Sequence, residues 1–372
     1  MDSGNVIVIV AIRLDSYVAN IVSHKKAQVN KRRVKVYMLY IFYIRYMLLL
    51  FIMNFKNLNL LITGGCGFIG SNFCNYISDK VNKLVIIDKI TYAADINNIS
   101  NIIENENVFL IIDDIVNHNF LNTFEEYDIN YIIHFAAETH VDTSYIDVIK
   151  YIDNNIIATY KILDSILKYK DIPMIYFSTD EVYGESNDKY KYKESDMYNP
   201  TNPYAATKAS CELIIKSFIN SYNMSIMIVR CNNIYGINQY KEKVIPKFIK
   251  KALNNETIEL DNEGKIIRDF VYIDDLIDAL LILINNGNMK EIYNIGYANP
   301  ISIANLANTI IELTNSKSDK IYTKNRPYND YRYYIDNSKI LKLGWKPKYN
   351  NINSFKENIK YLIKYDNRKT CR

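Results

Sequence analysis

Residues 58–70 read LNLLITGGCGFIG. An apolar run of strand character leads straight into Gly64, Gly67 and Gly70. Such a strand–loop–helix start has a mechanical reading. One glycine makes a tight turn, one lets backbone approach a pyrophosphate, and one lets helix and strand pack closely. The helix expected to begin near Phe68 then points its N-terminal N–H groups at the phosphates. The spacing is GxxGxxG, and turns also collect glycine, so the context has to carry the reading.

The context is a second apolar run at 84–87, ending at Asp88, 18 residues after Gly70. A carboxylate there accepts hydrogen bonds from a ribose and repels a 2′-phosphate, which favours NAD over NADP. A third run, 108–112, ends at Asp113, Asp114 and Ile115, where an acid and an apolar side chain could flank an adenine. Further strands are expected at 58–62, 131–135, 173–177 and 226–230, with helix-length stretches at 68–80, 144–169 and 204–222 between them. Alternating strand and helix argue for an α/β Rossmann fold, a doubly wound parallel sheet. Beyond 230 the alternation loosens. Helical stretches at 244–253, 274–285, 303–314 and 352–364 sit among short strands, as in a smaller α/β subdomain. We therefore expect a cofactor domain over 54–230 and, interleaved with it, a mainly substrate-binding subdomain over 231–372.

The first 53 residues differ from the rest. They hold eight Lys/Arg and two Asp, a net of +6, so a whole-chain +4 leaves −2 for the remainder. A body so near neutrality gives no electrostatic footprint for nucleic acid. The apolar stretch 36–53 is interrupted by Arg45, a poor membrane span. A Rossmann first strand normally lies close to the chain start, so Met53 is the expected start of the functional unit and 1–53 a non-core extension. The five cysteines (Cys66, Cys74, Cys211, Cys231, Cys371) form no CxxC pair. Neither a disulfide framework nor a metal site is expected, and a cytoplasmic location fits.

Two clusters carry chemistry. Tyr204 and Lys208 form YxxxK within NPYAATKA, and Pro203 suits a helix entry. Positions i and i+4 share a helix face. An ammonium there is expected to lower the phenol's pKa and make it a base. With 33 tyrosines in the chain, chance matches occur, so position decides. The pair follows the strand 173–177, whose end carries Thr179, Asp180 and Glu181. Ligands of open α/β sheets bind beyond the carboxyl ends of strands. Two carboxyls there can divide acid and base work if their environments separate their pKa values.

At this point the chain resembles the extended short-chain dehydrogenase/reductase family, and within it the nucleoside-diphosphate-glucose 4,6-dehydratases. The resemblance covers about residues 57–362. It rests on TGGCGFIGS, DKITYAADINNI, HFAAETHVDTS, STDEVYGE, PTNPYAATKAS, RCNNIYG, EKVIPKFI, IRDFVYIDD, YNIG, RPYNDYRY and LGWKP, met in that order. It implies that Tyr204 deprotonates the sugar 4-hydroxyl as hydride leaves C4 for NAD. Lys208 would hold the ribose, and Thr179 would bond the 4-oxygen. Glu181 would take the C5 proton, Asp180 would protonate the departing C6 hydroxyl, and the hydride would return to C6. For NAD it implicates Gly64, Gly67, Phe68, Ile69, Gly70, Asp88, Thr91, Asp114, Ile115, Phe135, Ala136, Ala137 and Asn154, besides Tyr204 and Lys208. For the nucleotide sugar it implicates Thr139, Thr179, Asn233, Lys243, Arg268, Arg326 and Asn329, the two arginines suiting a diphosphate. It implies a homodimer through 144–169 and 204–222.

Related reactions share part of this pattern. The 4-epimerases have the glycine loop and YxxxK but lack the Asp–Glu pair. UDP-glucuronate decarboxylases resemble TSEVYG, with Ser in place of Asp180. A catalytically silent homologue would break the constellation, which is intact here. Bacterial dTDP-glucose enzymes carry RPGHD where this chain has RPYND, which looks more like the dehydratase part of eukaryotic UDP-rhamnose synthases. Ile234 likewise stands where bacterial members have Asn. Thymine and uracil both stay open as the base.

Overall fold

Strands buried on both faces read as continuous apolar runs, and this explains the first half of the chain. In the computed structural model, β1 (Asn59–Thr63) and β2 (Lys83–Asp88) are buried almost throughout. Helix α1 (Phe68–Ile77) lies between them. Next come β3 (Val108–Ile112), α2 (Phe120–Tyr127) and β4 (Tyr131–His134). The structure describes residues 55–186, 189–323 and 327–370, without the side chains of 367–370. The expectations for residues 1–53 and for Arg326 lie outside the described residues.

The stretch 144–169, read as one helix, is broken. A short turn α3 (Val141–Ser144) is followed by α4 (Val148–Tyr151), a π-helical segment (Ile152–Ile157) and α5 (Ala158–Tyr169). Asp147 caps α4 by accepting from Lys150 N at 3.1 Å, which starts a new helix there. The wide π turn has a tertiary cause. Its Asn155 is buried, accepting from Glu138 N at 2.8 Å and donating to Glu138 O at 3.1 Å and Thr207 Oγ1 at 2.9 Å. These bonds tie the segment to the loop after β4.

The remaining elements are β5 (Met174–Thr179), α6 (Pro203–Tyr222), β6 (Ile226–Cys231), β7 (Asn233–Tyr235), α7 (Val244–Leu253), β8 (Ile258–Asp261), β9 (Ile267–Tyr272), α8 (Ile273–Asn286), β10 (Ile292–Ile295), β11 (Pro300–Ser302), α9 (Ile303–Thr314), β12 (Lys320–Thr323), α10 (Ser338–Lys342) and α11 (Ile352–Thr370). The large sheet is parallel throughout, in the order β10-β6-β5-β4-β1-β2-β3. Its order reverses between β1 and β4, and the crevice at such a switch point is where these folds hold ligands. Two small sheets, β11-β9-β7 and β12-β8, build the second lobe. Beyond residue 230, β10 returns to the large sheet and pairs with β6. The described residues from Phe55 onward pack as one unit.

Asn155→Ala leaves the N–H and C=O of buried Glu138 without partners. We expect a loss of about 1–3 kcal/mol for each group left unpaired, measured by urea denaturation.

Candidate active site

The glycine loop is fixed by sterics. Gly64 has φ +72°, and a Cβ there would meet Ala136 N and Cα at 2.8 Å. A Cβ at Gly70 would meet Gly64 O at 2.2 Å, so helix α1 closes directly on the loop. Gly67, by contrast, lines an open cleft. It is the N-cap of α1, and no side chain caps that helix and no acid stands in its first turn. Asp88 is buried at the end of β2, accepting from Cys66 N and Ile90 N at 2.9 Å each. A cradle that a Cβ would fill, an uncapped helix start and a strand-end acid fit a dinucleotide.

The cleft gathers most of the residues singled out for the cofactor. Gly64, Gly67, Phe68, Ile69, Gly70, Asp88, Thr91, Ile115, Phe135, Ala136, Ala137, Asn154, Tyr204 and Lys208 all line it. Asp114 does not. Its carboxylate turns to Lys89 Nζ at 3.2 Å; its neighbour Asp113 borders the cleft, with its carboxylate on His118 Nδ1 at 2.8 Å. Lys89 also bonds the Asn154 side chain. An adjoining cavity holds Thr139, Glu181, Asn233, Lys243, Arg268 and Asn329. Thr139, Glu181, Asn233 and Lys243 line both cavities, so the two are continuous. Arg268 is buried, with its guanidinium 4.5 Å from the Tyr333 ring centroid. It donates to Ile267 O at 2.8 Å and Asp330 O at 3.0 Å.

Asp180 and Glu181 leave β5 on a short 3-10 turn. Asp180 accepts from Asn232 Nδ2 at 2.6 Å and from the Thr179 hydroxyl at 3.2 Å. Burial, then the charge of Glu181, push its pKa up to about 7. Glu181 accepts from Asn202 Nδ2 at 2.9 Å, and the Tyr333 hydroxyl, which donates to Asp330 Oδ2 at 2.6 Å, lies 3.4 Å from it. Asn202 has a second task. It caps α6 by accepting from Ala205 N at 2.9 Å, so one residue orients Glu181 and starts the helix that carries Tyr204 and Lys208. Asn202, Asn232 and Tyr333 were missed as site residues, although each stands inside a motif quoted above. Their signal was proximity in sequence to Tyr204, to RCNNIYG and to RPYNDYRY.

One expectation is corrected. The Tyr204 phenol is not lowered in this arrangement. Tyr204 is pushed up, first by burial and then by Glu181, with the Thr179 hydroxyl working the other way. The Lys208 ammonium donates to Phe177 O at 2.6 Å and lies 4.3 Å from the Tyr176 ring centroid. Burial lowers Lys208 itself to about 8. Beneath it, His134 bridges Thr63 and Thr159 and is held neutral by burial, its pKa lowered to about 3.

A switch-point cleft with a glycine cradle, a strand-end acid and a Tyr–Lys helix face defines a Rossmann enzyme of the extended short-chain dehydrogenase/reductase class. Within that class, the chain belongs to the family described as GDP-mannose 4,6 dehydratase, whose model matches residues 61–358. It is 38% identical over 315 residues to human dTDP-D-glucose 4,6-dehydratase, covering 82% of this chain and 89% of that one. It is 36% identical over 302 residues to a trifunctional UDP-glucose 4,6-dehydratase/UDP-4-keto-6-deoxy-D-glucose 3,5-epimerase/UDP-4-keto-L-rhamnose-reductase of Arabidopsis thaliana, covering 78% of this chain and 45% of that one. Among solved structures, dTDP-glucose 4,6-dehydratase from Bacillus anthracis in complex with NAD superposes with a TM-score of 0.75 at 30% identity. That match covers 84% of this chain and 97% of the other.

Asp180 yields a pH prediction. Its carboxyl ionises near about 3.9 in an unfolded chain and near about 7 when folded. Between those values the folded state holds a proton that the unfolded chain has released. Stability therefore falls as pH rises through that window. Asp180→Asn, which cannot ionise, should flatten the slope in urea titrations made on either side of it.

Proposed function

We propose that the chain is an NAD-dependent nucleoside-diphosphate-glucose 4,6-dehydratase, turning dTDP-glucose or UDP-glucose into the 4-keto-6-deoxy sugar and water. The observation that carries this is Asp180. It is a buried carboxyl kept protonated toward neutral pH, beside Glu181 and on the same cleft as Tyr204. Removing a C6 hydroxyl as water needs such an acid, and epimerisation at C4 does not. The glycine loop and Asp88 would hold NAD, which would supply the hydride acceptor for C4 and the hydride donor for C6.

The chain's own groups divide the proton work. Tyr204 takes the proton of the 4-hydroxyl, with Thr179 placed to bond the same oxygen. The 4-keto group acidifies C5, and Glu181 removes that proton and returns it. Asp180 delivers its proton to the C6 oxygen as water departs. Lys208 would hold the cofactor ribose, and Lys243, Arg268 and Asn329 would serve the nucleotide diphosphate side, as would Arg326 by the resemblance. The sugar product is a precursor for rhamnose or a related deoxysugar.

The same reading extends to assembly and place. We infer a homodimer through α4, α5 and α6. Its support is the set of exposed apolar side chains there, with Ile149 at 66% and Leu213 at 54% exposure, beside Tyr160 and Leu167. A cytoplasmic location is supported by Cys66, Cys74, Cys211 and Cys231, all buried free thiols. Among the described residues no helix is long and apolar enough to cross a membrane.

Incubation with dTDP-glucose and with UDP-glucose, in separate assays, should give the 4-keto-6-deoxy product from at least one. No product from either defeats the proposal, and the ratio of the two rates identifies the base. Asp180→Asn should still reduce the cofactor while water loss slows by about 10²–10⁴-fold, the usual worth of a general acid. For the dimer, sedimentation velocity should show two protomers, and Leu213→Arg should shift the chain to monomer.

A further inference from the structure

A second set of buried charges lies behind the site, and no step above uses it. Glu212 and Arg230 are both fully buried. Glu212 follows Tyr204 and Lys208 at positions 204, 208 and 212, along one face of α6. Its carboxylate accepts from Arg230 Nε at 3.1 Å to each oxygen and from Arg230 Nη2 at 2.6 Å. It accepts further from the Tyr198 hydroxyl at 3.0 Å and the Ser178 hydroxyl at 2.6 Å. The Arg230 guanidinium lies against two rings, 4.5 Å from the Tyr183 centroid and 4.9 Å from that of Tyr198.

A buried ion pair adds little net stability against an apolar alternative, because desolvation offsets its attraction. Geometry is what this one secures. Ser178 is on β5, immediately before Thr179, Asp180 and Glu181, and Glu212 is on α6. The Ser178–Glu212 bond therefore crosses from the strand end that carries the elimination groups to the helix that carries the oxidation pair. Lys208 makes a parallel crossing to Phe177 O. On the neighbouring strand Arg230 pairs in register with Ser178, and Asn232, two residues on, holds Asp180.

We propose that Glu212, oriented by Arg230, is a positioning residue. Through Ser178 it holds Thr179, Asp180 and Glu181 at one distance from Tyr204 and Lys208, so that a single bound sugar meets both sets in turn. The proposal rests on the dehydratase reading of the site. The charge of Glu212 also supports the Lys208 ammonium against the burial that lowers it. The other groups facing that ammonium are Cys211 on its own helix, Tyr176 on β5 and His134 on β4.

The test uses the full chain with NAD, as Ser178→Ala, Ser178→Thr and the double variant Glu212→Gln/Arg230→Gln, which leaves no lone buried charge. In Ser178→Ala, cofactor reduction should be clearly the less affected of the two steps. Water loss should slow by about 10- to 100-fold, the effect of a small misplacement of reacting groups. Reduced cofactor should then accumulate with KM unchanged, and Ser178→Thr, which keeps the hydroxyl, should restore turnover. The double variant should show the same split. Equal loss of both steps, or no rescue by threonine, overturns the proposal. A second readout needs no turnover. Hydrogen exchange at the amides of 178–181 should rise in the alanine variant and stay at the wild-type level in the threonine variant. Unchanged exchange in the alanine variant overturns the positioning role even if the wild-type chain forms no 4-keto-6-deoxy product. Failure of the wild-type chain to form that product, by itself, counts against the reaction assigned above.

Discussion

Two carboxyl groups on consecutive residues, Asp180 and Glu181, are carried into a buried cleft, and that crowding shapes everything around it. Charge in a low dielectric is costly, and like charges side by side disfavour joint ionisation. Asp180 consequently keeps its proton toward neutral pH, with burial the larger cause and Glu181 the second. The two are further distinguished by their donors. Asn232 and Thr179 serve Asp180, whereas Asn202 serves Glu181. Each donor comes from a different element. The strand end, the helix cap and the residue linking β6 to β7 must all be in place before the two carboxyls differ.

The parallel sheet was legible because its strands are buried on both faces. The runs at 84–87, 108–112 and 226–230 fall within a residue of the observed β2, β3 and β6 at each end. Helix α6 was legible through local chemistry, Pro203 at its first position, whereas its Asn202 cap emerges only from the structure. The stretch 144–169 was not legible. Its apolar content suits one helix, but the π turn answers to Asn155 bonding Glu138 and Thr207, which are distant in sequence. The return of β10 to the large sheet was hidden for a related reason, since Ile292–Ile295 reads like any short apolar run.

The site shows the same division. Residue types that need a fixed spacing, such as the glycines and the Tyr–Lys pair, announce themselves. Electrostatic sign does not. Lys208 stands one helical turn from Tyr204, and spacing alone suggests a lowered phenol. The fold turns the ammonium to Phe177 O and buries the phenol, so the tyrosine is raised. Burial is a property of the whole packing, and no local pattern reports it. The same holds for Asp114, whose neighbour Asp113 borders the cleft while Asp114 pairs with Lys89.

Fold alone does not select a reaction, because one scaffold hosts many sites. What selects it here is the supply of protons. Oxidation at C4 needs a base on the helix and a dinucleotide on the glycine loop, and those parts serve an epimerase equally well. Elimination adds a demand for one protonated and one accepting group at the same strand end. An exposed aspartate there would have ionised near about 3.9 and could not supply a proton near neutrality. Burial of Asp180 meets that demand, and Asn232 limits how far the shift goes by stabilising the ionised form. The chemistry proposed for this site therefore depends on a carboxyl held out of water by the packing around the end of β5.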